Sequence, residues 1–182
     1  MTLAAYYDVF SSAQPSAPMV ARGDSLFDDN GVTQLSSPLF GIDDAAWTKF
    51  VNIMATAQPG NVSPSNMLGM FEFSPRRLAD LGAVNKLVRI KSPSGRTIWA
   101  GKFVAPMTCN KFLRNPQVQY RYFCGSMKEY TSRIMSGEID KSDAMSLSGA
   151  LSLLHRAGPQ ALRDNKRFSA TQAIYEKARD IF

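Results

Sequence analysis

The chain has 182 residues, of which 45% are hydrophobic and 20% charged, and its formal net charge is +6. This length suits one domain with its own core, and the composition excludes a largely disordered protein. The apolar runs are far shorter than the roughly 20 residues that a membrane-spanning helix needs, so no membrane span is expected. The N-terminus lacks a basic region before its apolar residues, which predicts that it is not a signal peptide.

Residues 1–41 are rich in Ser, Pro, Asp and Gly and have no sustained hydrophobic period, which predicts an extended arm. The arm contains five aromatic residues, too many for a free linker: Tyr6, Tyr7, Phe10, Phe27 and Phe40. These aromatics predict docking, either on the protein's own domain or on a neighbouring subunit. Residues 42–182 are predicted to form one α-rich domain.

The first predicted helix begins at "IDDAAW", where Asp43 or Asp44 can act as the N-terminal cap. Four apolar residues follow at the spacing of one buried helix face: Trp47, Phe50, Val51 and Met54. Pro59 and Gly60 are expected to end this helix. Further along, Ser74 as a cap and Pro75 at the first helical position predict a short helix that stops at Gly82.

The next segment, "KLVRIKSPSGRTIWAGKFV" at 86–104, predicts a β-hairpin with its turn at "SPSG". It is the one β element that the sequence predicts. A long helix capped by Asn115 and started by Pro116 is expected next, and a final helix from about Ser169. Between them the sequence predicts an apolar helix that is broken by Gly158 and Pro159 and whose core spacing is shown by Leu147, Ala150, Leu151 and Leu154. The predicted fold class is mainly α (α+β).

The chain has only two cysteines, Cys109 and Cys124, and one histidine, His155. Their spacing does not match that of zinc ligands, so neither a metal site nor a cofactor is predicted. The positive charge suits an anionic partner such as nucleic acid or a cell-wall polymer. Because the basic residues are scattered along the sequence and form no run, nucleic acid is a disfavoured partner.

Three segments in order resemble the lysozyme-like superfamily, and within it the lytic transglycosylases and related phage tail muramidases. The segment "GNVSP…LGMFEFSPRRLADLG" at 60–82 is similar to the family's loop, "GLMQ" or "GxYQF" block and "SPxTLxDLG" helix. The segment "FLRNPQVQYRYF" at 112–123 resembles an "NPxxQ" helix start, and "SLSGALSLLHRAGPQAL" at 146–162 resembles "TLSGLLAAAHLxGxGGA". The resemblance covers roughly residues 43–165 and implies a lysozyme-like helical domain.

Counting back from Gly69 by the family's spacing places the catalytic acid at Met54. Glycosidic cleavage needs a carboxyl group that protonates the leaving oxygen, and in the transglycosylase reaction the same group accepts a proton from the muramyl 6-hydroxyl. A thioether can do neither, so the resemblance implies no catalytic residue at the expected position. Glu72, where the family usually has a cleft-lining glutamine, is the weak candidate for a displaced acid.

The resemblance also assigns roles to other residues of these segments. It implies a glycan cleft at Gly69, Phe71, Glu72 and Phe73, although Phe71 and Phe73 are also predicted to pack inward. It implies structural roles for Ser74, Pro75, Gly82 and His155.

The family's habitat and the arm together predict a catalytically degenerate subunit of a phage tail, baseplate or related injection machine. The expected partners are neighbouring virion subunits, bound through the arm, and peptidoglycan. The expected location is either the virion, in its tail or baseplate, or the bacterial cytoplasm, where the protein is made without a signal peptide. Two alternatives stay open: an active peptidoglycan-cleaving enzyme with a displaced acid, and a basic helical nucleic-acid-binding protein.

Overall fold

The computed structural model describes residues 27–28, 31–32, 35–92, 95–142, 145–163 and 169–182. Within these ranges the chain is a mixed α+β protein. Its elements in chain order are β1 (Phe27–Asp28), β2 (Gly31–Val32), α1 (Asp44–Met54), α2 (Pro75–Asp80), β3 (Val84–Lys91), β4 (Thr97–Phe103), α3 (Cys109–Leu113), α4 (Pro116–Met135), α5 (Leu147–Ala157), α6 (Gln160–Arg163) and α7 (Ser169–Ala178).

The chain divides into two compact units, with one boundary just after α1, at Ala55, and another within α4, at Tyr122. Among the described residues, one unit contains residues 56–122 and the other contains residues 27–55 and 123–182. Most of the predicted arm, including Tyr6, Tyr7 and Phe10, lies outside the described residues, and its conformation stays a prediction there.

Helix α1 confirms the predicted cap and the predicted buried face. The Asp43 carboxylate accepts a hydrogen bond from the Ala46 N–H over 2.9 Å, and the buried residues of the helix are Trp47, Phe50, Val51 and Met54. The expected end at Pro59 was wrong, because the helix stops at Met54. Beyond it the Ala57 N–H donates to the Met70 carbonyl over 3.2 Å, a bond that the helical path would not make.

The predicted hairpin is confirmed as β3 and β4, which pair antiparallel with Arg89 opposite Trp99 and Lys91 opposite Thr97. A register shift lies between Asn85 and Val88. Pro93 and Ser94, at the centre of the predicted turn, lie outside the described residues.

The hairpin is not the only β structure, which corrects the sequence prediction. Strands β1 and β2 form a second antiparallel ladder inside the predicted arm, and Leu68 makes isolated bridges to Val62 and Phe73. These pairings involve one or two residues a side, which is too short to produce the alternation by which strands are recognised in a sequence.

The helical predictions in the second half of the chain are confirmed with two additions. The Asn115 side chain caps α4 by accepting from the Val118 N–H over 3.0 Å. Helix α5 follows a Ser146 cap and ends at Gly158, whose φ is +76°. The short helices α3 and α6 were not predicted, because five and four residues are too few to show a helical period.

Each unit has its own aromatic core. In the unit of residues 56–122, the Phe112 ring lies 5.9 Å from Phe73 and 5.4 Å from Phe103 between centroids. In the other unit, the Phe123 ring lies 6.0 Å from Trp47 and 6.2 Å from Phe50. These tilted and edge-on ring contacts add to the hydrophobic stabilisation that burial itself provides.

Candidate functional site

The candidate site is built on the loop that precedes α2. The N–H groups of Leu68 and Phe73 each donate to the other's carbonyl over 2.9 Å, and the Glu72 N–H donates to the Gly69 carbonyl over 3.1 Å. Residues 68–73 therefore form a closed turn that is held by hydrogen bonds between its own backbone groups. Asn66 ties this loop to β4, since its side chain donates to the Trp99 carbonyl over 2.7 Å.

The buried side chain of Gln119, in the first turn of α4, fixes this turn. Its Oε1 accepts from the Met70 N–H over 2.8 Å, and its Nε2 donates to the carbonyls of Pro59 and Phe112, each over 2.9 Å. Gln119 is fully inaccessible to solvent, so these bonds replace the ones that water would make. Gln119 therefore joins three separate chain segments at one point.

The same contact explains the glycine at position 69. Gly69 has a φ of +73°, and a Cβ built there would lie 2.3 Å from the Gln119 Oε1, closer than atoms can approach. Both the backbone conformation and the space therefore require glycine. The glycine of the 68–73 turn and the glutamine of the "NPxxQ" pattern are therefore structurally coupled, because the Gln119 side chain occupies the space that a side chain at position 69 would need.

Phe71 and Phe73, two of the residues assigned to a glycan cleft, are core residues here. Their side chains are 0% and 1% exposed, and their rings meet edge-on at a centroid distance of 6.2 Å. The inward orientation expected from the sequence is confirmed. In this arrangement the faces of both rings lie against protein atoms and not against a solvent-filled cleft.

Glu72 is the residue of the 68–73 turn whose side chain reaches the surface in part. Its backbone is left-handed, with a φ of +51°, a conformation that costs a residue with a side chain about 1–3 kcal/mol. The Thr56 hydroxyl donates to its Oε2 over 3.0 Å. The turn thus holds a carboxylate next to the Thr56 hydroxyl, two residues after the position where the resemblance expects the acid.

Met54, at the expected position of the acid, is fully buried on α1 in the unit of residues 26–55 and 123–182. Its carbonyl accepts from the Arg156 Nη2 over 3.0 Å. The nearest upstream carboxylates have structural tasks: Asp43 caps α1, and Asp44 accepts from the Ser37 N–H over 2.7 Å. Neither substitutes for an acid at position 54.

The residues given structural roles have local bonds that explain them. The Ser74 hydroxyl caps α2 by accepting from the Arg77 N–H over 3.0 Å, and Pro75 occupies the first turn. Gly82 follows the helix with a φ of +73°. His155 is 7% exposed and meets the Phe123 ring nearly perpendicularly at 5.2 Å.

The described part of the chain contains no group of three His, Cys, Asp or Glu side chains that could hold a metal ion. Among the same residues, no helix is long and apolar enough to cross a bilayer. Burial raises the pKa of the Cys109 thiol to about 11, so it stays protonated at neutral pH. A thiol in that state is a poor nucleophile.

Comparisons of the chain with protein-family models, with curated proteins and with solved structures returned no match.

The residue that the sequence reasoning missed is Gln119. It belongs to the quoted "NPxxQ" pattern, but that pattern by itself predicts only the start of a helix. Its partners Pro59 and Met70 lie 60 and 49 residues away along the chain, and a single sequence does not display contacts at that range.

Proposed function

We propose that the chain is a lysozyme-like, transglycosylase-like subunit of a phage tail, baseplate or related injection machine. In this proposal it is catalytically degenerate and serves as a structural or glycan-guiding protein. The proposal includes a lysozyme-like fold, peptidoglycan and neighbouring virion subunits as partners, and a location in the virion.

The observation that carries the proposal is the contact between Gln119 and the Gly69–Met70 turn. These residues belong to two of the three segments by which the sequence resembles the family. If the two segments resembled the family only by chance, a buried hydrogen bond between a side chain of one and the backbone of the other would not be expected. Their mutual dependence supports the interpretation that the two patterns come from one ancestral fold.

Catalytic degeneracy is supported by the surroundings of position 54. The Met54 side chain has no solvent contact, and a thioether carries no proton to transfer. A general acid needs a carboxyl within hydrogen-bonding reach of the glycosidic oxygen. A protein that has exchanged that group for a buried apolar side chain keeps the shape of the domain and loses the reaction.

A structural role is supported by the end of the arm. Residues 35–41 are held against α1, because the Leu35 N–H donates to the Thr48 hydroxyl over 2.9 Å and the Ser37 N–H donates to Asp44. Phe40, in the same segment, has a fully exposed side chain. A large aromatic residue kept in water on a fixed segment suits burial against a neighbouring subunit.

Limited proteolysis tests the structural role. The protein is digested alone and in the assembled particle, and cleavage within residues 1–41 is followed by mass spectrometry. The proposal expects cleavage in the free protein and protection in the particle, with Phe40→Ala reducing incorporation and an exposed control, Val104→Ala, leaving it unchanged. Equal cleavage in both states would contradict a docking arm.

The competing function is an active peptidoglycan-cleaving enzyme that uses Glu72. The observation in its favour is the left-handed backbone of Glu72, since such conformations concentrate at functional sites. If the protein releases muropeptides, Glu72→Gln decides the matter. Loss of release would establish Glu72 as the acid, and unchanged release would remove it.

A further inference from the structure

Charge is distributed unevenly along the chain. The 48 residues from 81 to 128 contain nine Lys or Arg and no Asp or Glu, whereas the other 134 residues contain twelve basic and fifteen acidic residues. The positive net charge therefore comes from one part of the sequence. These basic residues are scattered along the sequence, but the fold brings some of them close together in space.

The β3–β4 hairpin collects five of these charges. Its basic residues all have exposed side chains and are Lys86, Arg89, Lys91, Arg96 and Lys102. The segment 84–103 has no carboxylate of its own, so the positive potential of the hairpin is not neutralised from within. A two-stranded element with this charge attracts polyanions.

One face of the hairpin also carries an aromatic ring. Arg89 pairs across the strands with Trp99, and Lys91 pairs with Thr97, so these four side chains share a face. The Arg89 guanidinium lies over the Trp99 ring at 4.9 Å from its centroid. Along β3, the charges of Arg89 and Lys91 repeat at about 7 Å, two residues of a strand.

We propose that this face of the β3–β4 hairpin binds single-stranded nucleic acid. The basic side chains contact successive phosphates, while an unpaired base stacks on the Arg89–Trp99 pair. Aromatic rings and guanidinium planes are the surfaces on which single-stranded bases stack. An anionic polymer without bases would pair with the basic side chains but would have no group that stacks on Trp99. In a duplex the bases are already stacked on one another and are not available to the ring.

This inference is independent of the lysozyme-like proposal. The sequence disfavoured nucleic acid because the basic residues form no run. The hairpin removes that objection, since cross-strand pairing brings together residues such as Arg89 and Thr97–Trp99 that are about ten positions apart. Glycan cleavage and nucleic-acid binding are measured separately, so failure of either proposal leaves the other standing.

The test is fluorescence anisotropy of the full chain with labelled single-stranded oligonucleotides of mixed sequence, about 20 nucleotides long, at two salt concentrations. Three phosphate contacts on a single strand predict a slope near −2 in log K against log salt. Affinity is then expected to fall about 20-fold between 50 and 200 mM salt. The same oligonucleotide as a duplex and dextran sulfate, which has no bases, serve as competitors.

Two sets of variants locate the surface. The double variant Arg89→Glu with Lys91→Glu, which reverses the two charges that share the face with Trp99, is expected to abolish most of the salt-dependent binding. Its control, Lys49→Glu with Lys177→Glu, makes the same change in net charge at exposed helical positions and should bind like the wild type. Trp99→Ala is expected to weaken binding about tenfold, and Trp99→Tyr to restore it.

Several results would overturn the proposal. These are the absence of binding at 50 mM salt, equal weakening by the control pair, and unchanged affinity of a folded Trp99→Ala variant. Tighter binding of the duplex or of dextran sulfate than of the single strand would also reject it. Far-ultraviolet circular dichroism establishes whether each variant is folded. If Trp99→Ala does not fold, the affinity of Trp99→Tyr is measured in its place.

Discussion

The buried Oε1 of Gln119 accepts a hydrogen bond from the Met70 N–H over 2.8 Å, although 49 residues separate the two along the chain. The other end of the same amide donates to carbonyls of the loop at Pro59 and of α3 at Phe112. A glutamine is suited to this position because one side chain provides both an acceptor and donors.

Replacing Gln119 should destabilise the protein strongly. Gln119→Leu leaves the Met70 N–H buried without its partner, at about 1–3 kcal/mol, and removes the bonds to the Pro59 and Phe112 carbonyls, at about 1 kcal/mol each. The Phe112 carbonyl still accepts from the Asn115 N–H over 3.2 Å. We therefore expect a loss of about 3 kcal/mol. Urea denaturation followed by circular dichroism measures it. The control is Gln117→Leu, two residues earlier in the same helix and exposed, which should shift the midpoint little. Similar losses for both variants would contradict the buried role of Gln119.

Alanine substitutions at Gly69 and Gly82 should have different costs, although both glycines have a φ of +73°. Each variant bears the left-handed strain of about 1 kcal/mol. Only Gly69→Ala also forces a methyl group against Gln119, since a Cβ at Gly82 meets no atom within 4 Å. Thermal unfolding should therefore show a clearly lower Tm for Gly69→Ala. Equal Tm values would mean that the contact with Gln119 is not tight.

Restoring a carboxylate at position 54 should destabilise the protein in a pH-dependent way. In Met54→Glu the carboxyl group lies in a fully buried site, so its folded pKa is raised above the unfolded value of about 4.3. Below about pH 4 the carboxyl group is protonated in both the folded and the unfolded state, so burying its charge costs nothing. The cost in unfolding free energy grows as pH rises above this value. At pH 7 we expect a loss of about 3 kcal/mol or more.

The volume-conserving control at the same position is Met54→Leu, for which a cost below about 1.5 kcal/mol is expected at every pH. Urea midpoints of both variants from pH 4 to pH 8 give the comparison. A Met54→Glu curve parallel to that of Met54→Leu would show that position 54 is open to water.

The Cys109 thiol should contribute a fall in stability at alkaline pH. Burial raises its folded pKa from 9.0 to about 11. The contribution is therefore complete below pH 9, and it is lost as pH rises from 9 through 11, by up to about 3 kcal/mol. Comparison of the wild type with Cys109→Ala over this range isolates it from the titration of lysines and tyrosines. Identical pH dependence in the two proteins would contradict the raised pKa.

The elements that could be predicted from the sequence are those with strong local signals. The four buried residues of α1 follow from their three- and four-residue spacing, and the cap of α2 follows from Ser74 and Pro75, because both depend on neighbours within one or two turns. The β3–β4 hairpin was visible because two runs of β-branched and aromatic residues flank a turn.

What could not be predicted depends on contacts between distant segments. Helix α1 ends before Pro59 because residue 57 bonds to Met70, and no local signal near Ala55 marks that end. The role of Gln119 and the shared face of Arg89 and Trp99 likewise arise only on folding. At the candidate site, the sequence pointed to Glu72 and placed Met54 where the resemblance expects an acid, but it did not show the contact that holds the turn in place.

The central claim is tested most directly by incubating the purified protein with intact peptidoglycan and analysing the soluble fraction by mass spectrometry, beside an active lytic transglycosylase as the positive control. A catalytically degenerate lysozyme-like subunit is expected to release no muropeptides above the level of untreated peptidoglycan. Muropeptides with 1,6-anhydro ends would contradict this account, because they would mean that a carboxylate of the protein still performs the transglycosylase reaction.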